Sequence, residues 1–139
     1  MKSGYTILEH PSDIGIEAQG VSLIDAFQHA AIGLMSVIID PKAIESRGLR
    51  EVKISASDYE QLLVNWLAEI LYLYDGQRFV GGEFKIKKLS QYRLHAIIYG
   101  EEFSQIKHHP KLDVKAITYH QLLVQQNNDG GLVRVFVDI

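Results

Sequence analysis

Cysteine is absent from all 139 residues, which excludes disulfides, thiolate nucleophiles and sulfur-ligated zinc together. Such a chain suits a reducing compartment, and a cytoplasmic setting is the expectation. No window approaches the roughly 18 to 20 consecutive apolar residues that a membrane span needs. The start, Met1 to Tyr5, lacks the apolar region of a signal peptide, so no membrane role and no export are expected. Positive charge is also short. There are 14 Lys and Arg against 17 Asp and Glu, a formal net charge of -3, which leaves no overall field to hold a polyanion by counterion release. Direct, sequence-independent RNA binding is therefore disfavoured. With only three prolines, no low-complexity stretch and no long charge block, nothing divides the chain into independently folding parts. One domain over 1–139 is expected, and at 47% hydrophobic content it has enough apolar material for a core.

From Leu23 the apolar residues fall at Ala26, Phe27, Ala30, Leu34, Val37 and Ile38, a spacing of three and four that lines one helical face. This predicts a helix over 22–38, capped by Ser22, with Asp25 set against the positive end of the helix dipole. Pro41 enforces the exit. A second helix is predicted over about 58–75, where Tyr59, Leu62, Leu63, Trp66, Leu67, Ile70, Leu71 and Tyr74 form the apolar side. Ser57 and Glu60 have the spacing of a capping box at its start.

Alternation predicts strands in Tyr5 to Leu8, Ile14 to Ala18, Val52 to Ala56, Phe84 to Ile86 and Leu94 to Ile98. A last pair, about 114–126 and 132–138, is separated by Asn127-Asn128-Asp129-Gly130-Gly131, residues that tolerate the positive φ of a hairpin turn. Two helices among short strands that do not alternate as βαβ units predict an α+β fold, with helices packed on a largely antiparallel or mixed sheet.

Chemistry is sparse. Asp13 lies in the break His10-Pro11-Ser12-Asp13-Ile14-Gly15, where a plain turn role is the simplest reading. At the far end an apolar strand delivers Asp138 and the α-carboxylate of Ile139 side by side, although a solvated tail would look the same. If the first strands lie beside the last, Asp13, Asp138 and Ile139 form a cluster of anionic oxygens whose repulsion a hard cation would relieve. All-oxygen ligation suits Ca²⁺, with Mg²⁺ or another hard divalent ion as the alternative. A five-residue hairpin loop would pair Gln126 with Leu132 and set Asp138 opposite His120, with Tyr119 beside the cluster and Lys115 beyond the strand end. His108 and His109 are adjacent on the chain, so they point apart and make a poor ligand pair. Gly81-Gly82 reads as a bend or bulge rather than a phosphate loop, there being no phosphate-binding fingerprint in the sequence. Glu101-Glu102 reads as an ordinary pair of solvated carboxylates.

Four segments carry a resemblance. They are Leu8 to Ile16, Asn65 to Tyr72, Val114 to His120 and the closing Asp138-Ile139, and in that order they resemble the archease family from one end of the chain to the other. Where that family usually has threonine or a similar small residue before the alanine ahead of its first aspartate, this chain has His10-Pro11-Ser12. The change alters the turn and not the ligand. The resemblance implies an archease-like fold and a calcium-binding accessory protein, not an enzyme. Such a protein activates an RNA ligase of the RtcB kind in tRNA splicing by promoting its guanylylation with GTP and its turnover. That ligase joins a 3′-phosphate or 2′,3′-cyclic phosphate to a 5′-hydroxyl, and RNA is met only through it. Asp13, Asp138 and Ile139 match the family's metal positions; Lys115, Thr118 and Tyr119 match a family block without individually assigned roles, and His120 stands beside them. Lys115, Thr118, Tyr119 and His120 are thus candidates for supporting the metal ligands or facing a partner. The rival expectations are a metal-dependent hydrolase using the same carboxylates and a metal-free interaction module.

Overall fold

The computed structural model describes residues 3–139. In chain order the elements are β1 (Gly4–Glu9), β2 (Asp13–Gly20), α1 (Leu23–Ile38), a 3-10 turn (Pro41–Ala43), β3 (Gly48–Ser55), α2 (Tyr59–Asp75), β4 (Phe79–Leu89), β5 (Arg93–Glu102), the short α3 (Gln105–His108), β6 (Ala116–Ile117), β7 (Leu123–Asn127) and β8 (Gly130–Asp138). The expected α+β architecture is present, divided between two sheets. One runs β1-β2-β8-β6 with β7 also paired to β8, the other β3-β5-β4, and every pairing is antiparallel.

Both long helices form where the apolar stripe predicts them. Ser22 caps α1 as expected, its hydroxyl accepting from the Asp25 amide at 3.2 Å. The cap of α2 is one residue later than the sequence reading. Asp58 accepts from the Gln61 amide at 2.8 Å, and the Gln61 side chain accepts from the Ser57 amide at 2.8 Å. The reciprocal logic of a capping box is kept, with Asp58 and Gln61 in place of Ser57 and Glu60, because the more strongly accepting carboxylate lies nearest the helix start. Helix α1 packs on β2 and β8 of one sheet and on β4 of the other, so one apolar cluster runs through both, from Ile16 and Val135 to Trp66 and Ile98. Gly81 stands at the expected bulge, where the β4–β5 register shifts between Gly81 and Glu83.

Glu101 corrects the sequence reading. It is 6% exposed rather than solvated, and it accepts hydrogen bonds from Lys107 Nζ (2.7 Å), the Glu45 amide (2.7 Å) and His108 Nε2 (3.1 Å). With the Ser104 amide donating to His108 Nδ1 at 2.9 Å, Nε2 is the ring nitrogen that donates to Glu101. Burial alone would raise the Glu101 pKa; the bonds from Lys107, Glu45 and His108 outweigh it and hold the carboxyl at about 2, below its ordinary 4.5. A depressed pKa gives stability that is complete above 4.5 and is lost as pH falls toward 2. The contribution is about 3 kcal/mol at neutral pH. Thermal melts of the parent and Glu101→Gln between pH 6 and pH 2 should therefore converge on the acid side. A gap independent of pH would refute the ion network as its source.

Candidate metal centre

Strands β2 and β8 pair in register from Gly20↔Gly131 at one end to Asp13↔Asp138 at the other. The two aspartates, 125 positions apart in sequence by number, are thus direct cross-strand neighbours. Their side chains share a face, with Cβ atoms about 4.5–5.5 Å apart. Ile14, Ile16, Val135 and Val137 are buried in the core, so alternation sends Asp13 and Asp138 to the opposite face. Like charges directly opposite one another destabilise a sheet. Among the described residues no cationic group lies within ion-pair distance of either carboxylate.

Below the pair on that face lies Phe136, opposite Gly15 and 2% exposed. A side chain at residue 15 would begin 2.8 Å from the Phe136 ring, so the ring can approach the strand this closely only because residue 15 is glycine. The rings of His10 and His120 meet Phe136 edge-on, with centroids at 5.2 and 5.8 Å. Beyond β6 the Lys115 amide donates to the Asp138 carbonyl at 2.8 Å, and Thr118 gives both its amide (3.0 Å) and its hydroxyl (2.8 Å) to the Phe136 carbonyl. These bonds tie the end of β8 on the side away from β2.

The hairpin register differs from the sequence reading in two ways. The turn has two central residues, Asn128 and Asp129, with Asn127↔Gly130 and Gln126↔Gly131, so Gln126 does not meet Leu132. Asp138 faces Ala116 and not His120. The shift arises because the strand is broken between β6 and β7, where Thr118 bonds back to Phe136 and Gln121 takes a left-handed φ of 50°. The loop this creates carries Tyr119 into solvent at 59% exposure. His120 is exposed as well, its amide donating to Thr118 Oγ1 at 3.2 Å.

The donor set is all oxygen and small. Among the described residues no three His, Asp or Glu side chains gather into a metal-binding group, and His108 is engaged with Glu101 rather than poised as a ligand. An ion at this end would draw on Asp13, Asp138, the α-carboxylate of Ile139 and water. Such a set fits a hard divalent cation of adaptable coordination, Ca²⁺ before Mg²⁺, and does not fit zinc. A network that sequence reasoning missed is Glu101 with His108. Its members are seven residues apart, joined through a four-residue helix, and leave no periodic signal.

Comparison with known proteins agrees along nearly the whole length. The chain is 41% identical to the protein archease of Pyrococcus furiosus over 125 residues, 88% of each chain. It is 35% identical to that of Methanosarcina acetivorans over 139 aligned positions, covering 97% of this chain and 95% of the relative. The solution structure of Methanobacterium thermoautotrophicum protein 1598 superposes with a TM-score of 0.83 at 28% identity, covering 98% of this chain and 99% of that one. A Thermotoga maritima crystal structure, described as an archease and possible chaperone, shares the fold at a TM-score of 0.57 and 16% identity, over 94% and 92% of the two chains. The family model described as Archease protein family (MTH1598/TM1083) matches residues 5–139, and the chain therefore belongs to the archease family.

Proposed function

We propose that this chain is a non-catalytic accessory protein that activates an RtcB-type RNA ligase in tRNA splicing, through a Ca²⁺ held by Asp13, Asp138 and the α-carboxylate of Ile139. The observation that carries the reading is the opposition of Asp13 and Asp138 with no protein cation to offset them. When bound, the ion supplies the positive charge that this pair lacks. Asp13 and Asp138 hold it from two strands, the Lys115 amide and Thr118 fix the end of β8, and the exposed Tyr119 ring of the following loop offers a partner an aromatic contact. The guanylate chemistry with GTP belongs to the ligase, and the chain shifts the ligase toward the conformation that accepts GTP. Such a shift requires a higher affinity for that conformation than for the resting one. No helix of the described residues is long and apolar enough to cross a membrane.

An accessory role also accords with the shape of this end. Asp138 is exposed and Asp13 only half-buried, whereas a hydrolase acting through the same ion would need a recess that shields substrate and activated water. The test is guanylylation of the ligase from the same organism, with and without this chain, with Ca²⁺ or Mg²⁺ varied. The parent should stimulate it, and Asp138→Ala, folded by circular dichroism, should lose at least tenfold of the stimulation. Equal stimulation by the variant would show that this end is not the working surface, and turnover of RNA by the isolated chain would overturn the accessory reading.

A further inference from the structure

The two sheets end in edges of unequal kind. A strand edge presents unpaired N–H and C=O groups, and proteins guard such edges with charge, bulges or brevity. In the three-stranded sheet, β3 carries Arg50, Glu51 and Lys53, and β4 carries Lys85, Lys87 and Lys88 with two register shifts. On the far side of the larger sheet, β6 has two residues and β7 five, separated by the loop that holds Tyr119. Strand β1 lacks these guards over most of its length. From Tyr5 to Leu8 it has neither charge nor proline, and its register with β2 is unbroken from Gly4↔Gln19 to Glu9↔Ile14.

The free groups on β1 follow from the phase of the ladder. The Asp138 and Phe136 carbonyls accept from the Lys115 and Thr118 amides, so these two residues of β8 turn toward β6, and Val135 and Val137 turn toward β2. Main-chain groups alternate in direction along a strand. Ile14 and Ile16, paired with Val137 and Val135, therefore turn toward β8, and Asp13, Gly15 and Glu17 toward β1. The His10 amide, which donates to the Asp13 carbonyl at 3.2 Å, fits that phase. Thr6 and Leu8 thus bond to β2, while the N–H and C=O groups of Tyr5, Ile7 and Glu9 point out of the sheet. Among the described residues no backbone group outside the strands bonds to them. Along the same edge runs a groove of ≈ 380 Å³, lined by Ile7, Glu9, Ile14, Val37, Lys111 and Leu112. Tyr5 shares the face of Ile7 and Glu9, and its ring is 38% exposed.

We infer that β1 is a self-association strand. Two copies of the chain pair antiparallel through it, about a two-fold axis at Ile7, and the larger sheet continues from one copy into the other. That register matches Ile7 with Ile7 and Tyr5 with Glu9 of the second copy, so each outward residue meets another and each pair exchanges both main-chain bonds. An axis at Thr6 would set Glu9 opposite Ser3, and one at Leu8 would set Tyr5 opposite Pro11, both outside the strand. The match also joins unlike groups, since the Tyr5 hydroxyl donates and the Glu9 carboxylate accepts, and cross-strand partners stand on one face. Tyr5 of each copy is thereby set at the mouth of the groove that Glu9 and Lys111 flank in the other. A second copy suits this edge because one short segment supplies the aromatic ring, the groove wall and both halves of the ladder. Asp13 and Asp138 lie on the opposite face of the sheet and stay open.

Sedimentation velocity of the full chain in EDTA, which removes any ion held between carboxylates, tests the inference. A reversible monomer–dimer equilibrium is expected, with a dissociation constant on the order of 10–100 µM, as suits a small interface made largely of main-chain bonds. Glu9→Pro removes one outward N–H from each copy without touching the β2 ladder, and should weaken the dimer by about tenfold or more. The Glu9 side chain is exposed, and circular dichroism should show the variant folded. Because the chain has no cysteine, oxidation reads the register independently. Ile7→Cys should crosslink to its symmetry mate, about 5.5 Å away between Cα atoms, whereas Thr6→Cys, about 7–8 Å from its own mate, should not. A monomer at every concentration up to about 1 mM would overturn the inference and leave the edge to an extended segment of another protein. A dimer that Glu9→Pro leaves intact, or one in which Thr6→Cys crosslinks as readily as Ile7→Cys, would overturn it as well. None of these results depends on Asp13 or Asp138.

Discussion

Trp66→Ala is expected to lower the unfolding free energy by about 3–5 kcal/mol, a large part of the roughly 5–15 kcal/mol that holds a domain folded. Trp66 is wholly buried and links three elements. It sits on α2, its Nε1 donates to the Phe27 carbonyl of α1 at 3.0 Å, and its ring meets Phe84 of β4 edge-on at 6.1 Å. Alanine would leave a cavity at the junction of both helices with the three-stranded sheet. Trp66→Phe separates the contributions, keeping most of the apolar contact while removing the hydrogen bond, and should cost less than alanine. Urea titration of the three proteins gives the comparison. An unfolding free energy for Trp66→Ala within about 1 kcal/mol of the parent would mean that the packing described does not hold the core together.

Asp138→Asn is expected to change stability in opposite directions without and with calcium. Without the ion, neutralising one of two opposed carboxylates relieves repulsion and should stabilise the chain by about 0.2–1 kcal/mol. With Ca²⁺ at about a hundred times its dissociation constant, the parent should gain about 2.7 kcal/mol while the variant gains little. The order of the two melting temperatures therefore reverses, by an amount on the order of 10 °C in the parent's favour. A merely structural aspartate would give the same sign in both conditions. Any loss of a hydrogen bond would also appear without calcium, and none from the Asp138 side chain is present among the described residues.

The elements with strong periodicity were legible before the fold was known. Phe27, Leu34, Leu62 and Trp66 repeat at helical spacing and are all buried, because burial of a helix face is what places apolar residues three and four apart. The approach of Asp13 to Asp138 could be inferred only conditionally, since strand neighbours distant in sequence leave no local trace. The final register was less accessible. Alternation in 114–117 and in 122–126 is compatible with one continuous strand, and the break depends on Thr118 reaching the Phe136 carbonyl, a tertiary bond. Tyr119 and His120 leave the sheet for that reason. Glu101 reads as solvated in the sequence because paired carboxylates carry no sign of the cations that fold over them, here Lys107 and Arg47.

The proposed sharing of one cation by Asp13, Asp138 and Ile139 is what calorimetric titration with Ca²⁺ would probe most directly. The parent should bind one ion per chain with a saturating heat, and Asp13→Asn and Asp138→Asn should each weaken that binding at least tenfold. Equal affinity in parent and variants, or no saturable heat in the parent, would contradict it.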